Sequence, residues 1–246
     1  WAKRDNFCLT SDGRPAMVAG VPPDYFSEAG QLWGNPLYDW ARMEQEDYSW
    51  WKRRVKQLLQ CYDFVRLDHF RGFEAYWAVP AGESTARNGR WLKGPGKKFF
   101  NSLAKEFGAL PFIAEDLGLI TPEVHNLRNI AGFPGMKVYQ FEPLSEPGRR
   151  AEPNTVYYSG THDNDTLVGW YRKNHSDGET VGDEQMEKIR EKCREILGAI
   201  YQSGAAWVII PMQDILGLDS YARMNTPGTT QGNWEWRMKA RPKKWG

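Results

Sequence analysis

Three times along this chain a short apolar run stops in charged or polar side chains and a glycine, and that grammar limits the fold more than any other feature. The first instance is Val65-Arg66-Leu67-Asp68-His69-Phe70-Arg71-Gly72-Phe73 and the second is Pro111-Phe112-Ile113-Ala114-Glu115-Asp116-Leu117-Gly118. The third is Thr155-Val156-Tyr157-Tyr158-Ser159, running on into Gly160-Thr161-His162-Asp163-Asn164-Asp165-Thr166. Short strands at 136–141 and 206–211 bring the set to five. Helical spacing of apolar residues covers 47–60, 97–107, 166–173 and 183–202, and a further helix, capped at Thr121 with Pro122 in its first turn, runs to about 131. Alternating strands and helices imply a parallel sheet, and polar residues at the carboxyl ends of several strands are the habit of the (β/α)8 TIM barrel. A closed barrel needs eight strands, so three more are expected upstream of Trp1. The chain therefore reads as the C-terminal portion of one α/β barrel domain, with 1–45 a loop and lid region and 46–246 strands four to eight, their helices and the cleft loops.

Loops carry the remaining signal. Glycine and proline from Ala19 through Gly20-Val21-Pro22-Pro23-Asp24-Tyr25-Phe26-Ser27 and Gly30-Gln31-Leu32-Trp33-Gly34-Asn35-Pro36 to Tyr38 predict a long irregular excursion. Tyr25, Phe26 and Trp33 there are either platforms for a ligand or aromatics pinned onto the core. A second glycine-rich excursion is predicted over 74–80 and 88–96, and a third loop over 224–237, with Trp234 and Trp236. Aromatics are 14% of the chain, with 12 Trp, more than a core of this size needs, and flat apolar faces with polar edges suit sugar rings. Charge points nowhere: 32 basic residues against 31 acidic give no electrostatic reason to expect nucleic acid or an anionic membrane as partner. Three distant cysteines, Cys8, Cys61 and Cys193, form neither a disulfide framework nor a zinc motif, and no apolar run is long enough to span a bilayer. A cytoplasmic home is expected, or a plastid if the source is a plant. Because the chain opens on Trp1 in mid-sequence style, it is expected to be a piece of something longer.

The chemistry lies at the strand ends. Alternation places Arg66 and Asp68 on one face and Val65 and Leu67 on the other, so a guanidinium sits beside a carboxylate and favours its ionised form. Taken alone, that pair is equally a structural ion pair. With Glu115 on a second strand end it meets the needs of retaining glycosidic chemistry, one ionised carboxylate as nucleophile and one protonated carboxyl as acid. Apolar Phe112 and Ile113 would raise the pKa of Glu115. Asp163 would hold sugar hydroxyls and His162 would add a hydrogen bond. Two other readings stay open on the residues alone. His69, Glu115, His162 and Asp163 are types that ligate metals, although Arg66 beside Asp68 would repel a cation. A chain that binds glucan through its aromatics without turning it over is the other.

The assembled motifs resemble the 4-α-glucanotransferases, or amylomaltases, of glycoside hydrolase family 77 in the α-amylase clan. The resemblance rests on Arg66 to Phe73, Ala114 to Gly118, Thr161 to Thr166, the two stretches between Gly20 and Pro36, and the 225–237 loop. It implies Asp68 as nucleophile, Glu115 as acid/base and Asp163 as transition-state stabiliser. Arg66, His69, His162, Asn164, Tyr25, Phe26, Trp33 and Trp234 become the substrate-binding set. It further implies a disproportionation of α-1,4-glucans, with maltodextrins and glucose as donors and acceptors, by a covalent glycosyl-enzyme. No organic cofactor and no metal are expected. The family carries another Asp motif at the end of its third strand, upstream of this chain, so the missing N-terminal half of the barrel is an expected partner. A hydrolase of the same clan shares the first step and is the alternative.

Overall fold

The computed structural model describes residues 3–24, 27–143, 151–176 and 181–239, which leaves Tyr25 and Phe26 outside the described residues. The chain forms two compact units, Trp1–Gly135 and Met136–Gly246.

In the first unit, helices α1 (Trp40–Gln45) and α2 (Ser49–Cys61) precede strand β3 (Val65–Leu67). The pattern at 47–60 predicts one helix there; α2 starts at Ser49 because Asp47 and Tyr48 take left-handed backbones, with φ 48° and 52°. Asp39 ends the preceding loop, its carboxylate accepting the Arg42 N–H at 3.0 Å to cap α1. Helices α3 (Gly96–Phe107) and α4 (Pro122–Ala131) flank strand β6 (Phe112–Ala114). β3 and β6 pair in parallel, Val65 opposite Phe112 and Leu67 opposite Ala114, as the alternation of elements demands.

Trp51 and Val55 of α2, Phe99, Phe100 and Leu103 of α3, Val124 and Leu127 of α4, and Phe70, Phe73 and Phe133 close one core. Each such side chain removed from water contributes roughly 1.5–3 kcal/mol. Tyr38, Trp40 and Trp50 pack on the same cluster, with Trp40 and Trp51 stacked 6.1 Å apart. Part of the tryptophan excess is therefore core.

The loop expectation for 19–38 and the excursion at 74–96 are both corrected. Strands β1 (Met17–Val21), β2 (Gln31–Pro36), β4 (Ala75–Pro80) and β5 (Arg90–Lys93) form an antiparallel sheet in the order β2-β1-β4-β5. Glycine and proline are admitted for positional reasons. β2 is an edge strand, where Pro36 is tolerated at the last position opposite Val18, and Gly34 sits at φ +78°. Gly20 is required because the Gln31 carbonyl lies where its Cβ would be, and the β1–β2 register slips between Val18 and Gly20. Only the connection between β1 and β2 is loop, which makes this region a hairpin.

Gly94 shows how this sheet seats the turn that follows β3. Its N–H donates to the Glu74 carbonyl at 2.8 Å, and a Cβ on it would lie 2.5 Å from the Gly72 carbonyl oxygen. Gly94→Ala is expected to lose about 1–3 kcal/mol from that collision, read as a lower urea midpoint with an unchanged slope.

The second unit has strands β7 (Gly135–Val138), β8 (Thr155–Tyr158) and β9 (Trp207–Ile209) in the order β7-β8-β9, with β8 and β9 parallel. Helices α5 (Leu167–His175), α6 (Asp183–Tyr201) and the short α7 (Met212–Ile215) accompany them. Tyr157, Leu167, Val168, Ile189, Cys193, Ile196, Leu197 and Ile200 form its core, the apolar face of α6 packed over the sheet and α5. All five strands read from the sequence are present, and the fold is mixed α/β. Among the described residues no helix is long and apolar enough to cross a membrane.

Candidate active site

The parallel register brings the first two carboxylates side by side. Leu67 faces Ala114, so Asp68 and Glu115 are the next residues on neighbouring strands, whose spacing is about 4.8 Å. The ladder continues past the strand ends: the Glu115 N–H donates to Leu67 O at 3.0 Å and the Phe70 N–H to Glu115 O at 2.9 Å. Arg66 donates through Nη2 to Asp68 Oδ1 at 3.0 Å, and the Asp68 side chain remains 77% exposed, within reach of a ligand.

Glu115 lives in a different environment. Burial raises its pKa above the ordinary carboxylate value. The Leu117 N–H, which donates to Oε1 at 3.0 Å, and the His69 N–H, which donates to Oε2 at 2.7 Å, oppose that shift without cancelling it. Asp68 adds to the rise and Arg66 works against it. Phe112 packs in the helix-lined core 5.5 Å from Phe133, which leaves Ile113 as the apolar residue on the strand face of Glu115.

After Asp68 the chain turns sharply. His69 is left-handed at φ 48°, and the 3-10 turn Phe70–Phe73 buries both phenylalanines. Burial lowers the pKa of the His69 imidazole, favouring its neutral form. Its ring meets Trp33 edge-on at 4.8 Å. Arg71 donates to the Leu119 carbonyl at 3.0 Å and lies 4.1 Å over Trp91, tying this turn to the segment after Glu115 and to β5. A near-buried ion pair, Arg128 Nη1 to Asp116 Oδ2 at 2.6 Å, anchors that segment to α4. Arg66, Asp68, His69, Glu115 and Trp33 thus come together in residues 1–135.

The other predicted residues gather in residues 136–246 at the end of β8. Asp163 accepts from Asn225 Nδ2 at 2.6 Å, its carbonyl accepts from Arg223 at 2.6 Å, and His162 Nε2 lies 3.4 Å from its Oδ2. Asn164 holds the loop itself: its Oδ1 accepts both the N–H and the hydroxyl of Thr161 at 2.8 Å. Trp234 lies 5.2 Å from the His162 ring, so the 224–237 segment does reach this strand end. A cleft of about 140 Å³ opens among Thr161, His162, Asn164, Asp165, Arg223 and Met224.

Sequence reasoning passed over the residue beneath this loop. Asp214 is buried and accepts the Ser159 hydroxyl at 2.6 Å and the Leu167 N–H at 2.7 Å, joining β8, α5 and α7. It stands just past the strand 207–209, the same strand-then-carboxylate signal as the other three. Arg223 and Asn225 were likewise missed, being polar residues in a loop with no periodicity to single them out. Among the described residues no three His, Cys, Asp or Glu side chains converge as a metal-ligand set.

A carboxylate on an arginine beside a buried carboxyl of raised pKa is an arrangement that can support glycosyl transfer by a carboxylate pair. The family model described as 4-alpha-glucanotransferase matches residues 1–242, and the chain belongs to that family. It is 49% identical over 258 aligned residues to the 4-alpha-glucanotransferase of Synechocystis, covering 96% of this chain and 49% of the relative. It is 47% identical to the chloroplastic/amyloplastic 4-alpha-glucanotransferase of Arabidopsis thaliana, covering 97% of this chain and 42% of that protein. Among solved structures, amylomaltase from Streptococcus agalactiae in complex with acarbose superposes with a TM-score of 0.84 at 36% identity, over 97% of this chain and 50% of that one. The chain thus spans about half the length of the relatives it matches.

Proposed function

We propose that this chain carries the catalytic carboxylates of a 4-α-glucanotransferase and works as the second half of a (β/α)8 barrel, β3, β6, β7, β8 and β9 being strands four to eight. The observation that carries the reading is the Asp68–Glu115 pair on in-register strand ends, with Arg66 on one and burial raising the pKa of the other. The half-length match to the relatives supports the barrel assignment, as does the edge strand β9, whose Trp207 and Ile209 are exposed. Cytoplasm, or plastid in a plant, fits the relatives' kinds.

Asp68 attacks the anomeric carbon of an α-1,4-glucan donor as the bond to the leaving glucan breaks, and Glu115 gives that leaving oxygen its proton. The 4-hydroxyl of an acceptor then attacks the glycosyl-enzyme, Glu115 takes the hydroxyl proton, and Asp68 departs as carboxylate. One glycosidic bond is lost and one is made, so no cofactor enters the balance. Asp163, oriented by Asn225 and flanked by His162, binds hydroxyls of the reacting sugar and favours its oxocarbenium-like state. Asn164 and Trp234 complete that subsite. The β1–β2 hairpin, with the 44% exposed Trp33, is the lid that favours a sugar over water in the second step.

The test is a maltotriose incubation with products separated by length, run on this chain alone and on the chain co-expressed with the N-terminal half of the Synechocystis relative. Free glucose with a ladder of longer maltodextrins is expected in the complemented sample. Shorter sugars without a ladder would make it a hydrolase, and glucan binding without turnover in both samples would sink the catalytic reading.

A further inference from the structure

Residue 69 adopts an uncommon backbone. At φ 48° and ψ 54° it occupies the left-handed region, which residues other than glycine enter uncommonly, asparagine, aspartate and histidine more often than the rest. Such a conformation persists where its surroundings over-determine it. Here they do so through the imidazole, which meets Trp33 of β2 edge-on at 4.8 Å and lies so close to Gly72 that a Cβ there would sit 3.3 Å from His69 Cδ2. Its Nε2 is buried and has no hydrogen-bond partner among the described residues. What the left-handed turn delivers comes from the main chain: it lets two successive N–H groups meet Glu115, that of residue 69 at Oε2 at 2.7 Å and that of Phe70 at the carbonyl at 2.9 Å.

We propose that His69 is a positioning residue for Glu115: its ring, wedged between Trp33 and Gly72, locks the left-handed turn whose backbone N–H grips the Glu115 carboxyl. The inference rests on the reading of Glu115 as acid/base and adds to it the means by which that carboxyl is aimed. It also links the β1–β2 hairpin to the acid/base, since the residue that fixes the imidazole stands on β2. The N–H stabilises the ionised carboxylate, so the grip sets how readily Glu115 surrenders its proton as well as where it points.

Conformation and chemistry are separated by replacing the ring in two ways. His69→Gly and His69→Ala both remove the imidazole and open the site alike, but only alanine is penalised in the left-handed region, by roughly 5- to 30-fold in occupancy. Asp68 and Arg66, the charged groups facing Glu115 from the end of β3, are the same in both variants. Carboxyl carbon NMR of the glutamate-labelled chain, with Glu115→Gln identifying the resonance, is expected to show Glu115 titrating at higher pH in His69→Ala than in His69→Gly. His69→Asn, tolerant of the turn, should side with glycine. In the complemented enzyme, kcat on maltotriose should be roughly 5- to 30-fold lower for alanine than for glycine at similar KM. The gap should close in fluoride release from α-maltosyl fluoride, whose leaving group needs no acid. Equal titration of Glu115 in the two variants overturns the proposal, and so does an equal loss in both with a raised KM, which would make the ring a sugar ligand. Should the alanine variant not fold, His69→Ser carries the same conformational penalty and takes its place. The titration is read on this chain without turnover, so it decides the grip even if maltotriose shows the proposed function to be wrong.

Discussion

Asp68→Asn is expected to abolish disproportionation of maltotriose by the complemented enzyme, by about 10⁴-fold or more, the scale on which covalent catalysis fails when its nucleophile is removed. The amide keeps an oxygen for Arg66 and loses the charge that the proposed nucleophile needs. The fold should hardly notice. The pair it disturbs is largely exposed on the aspartate side, and exposed ion pairs contribute about 0–1 kcal/mol. A large kinetic loss with an unchanged urea midpoint is therefore the signature, and trapping separates it from a misfolded site. Wild type should form a covalent adduct with a 5-fluoro glycosyl fluoride at Asp68, located by peptide mass, and the variant should form none. A labelled peptide elsewhere would remove Asp68 from the nucleophile's place.

Glu115→Gln is the second large effect, expected at roughly 10²- to 10⁴-fold on maltotriose. With α-maltosyl fluoride the first step should survive, giving a burst of fluoride followed by slow turnover, because the acceptor hydroxyl now lacks a base. Azide needs no base and should restore turnover, yielding the glycosyl azide of retained configuration. The pH dependence has a definite sign. As the proposed acid Glu115 must be protonated to donate, and burial raises its pKa, so the wild-type rate is expected to fall as pH rises through that elevated value. Stability runs the same way: a carboxyl whose folded pKa is raised contributes most below its unfolded pKa, and that contribution is lost as pH rises through the folded value. Glu115→Gln should flatten both profiles. Persistence of the alkaline fall in the variant would assign it to another group.

The strand-then-helix order, the five short strands and the three carboxylates at their ends were legible in the sequence because each rests on local information. Period-2 alternation set Arg66 beside Asp68, and apolar residues at helical spacing marked α2, α3, α4 and α6. The hairpin of β1 and β2 was not legible, since Gly20, Gly34 and Pro36 read as loop residues until an edge position and an approaching Gln31 carbonyl gave each a place in a sheet. Asp214 escaped notice for a related reason: a single Asp in a short turn acquires meaning only when Ser159 and the Leu167 N–H, 55 and 47 residues away, converge on it.

The sequence by itself determined which residue types stand at which strand ends, because alternation and helical period are properties of neighbours along the chain. Tertiary structure alone decided what those residues are. The same carboxyl group is an exposed partner of Arg66 at position 68 and a buried group of raised pKa under the residue-69 amide at position 115. Solvent access and hydrogen-bond donors, which set a carboxyl's pKa and its direction, are supplied by residues distant in sequence, and only folding brings them there.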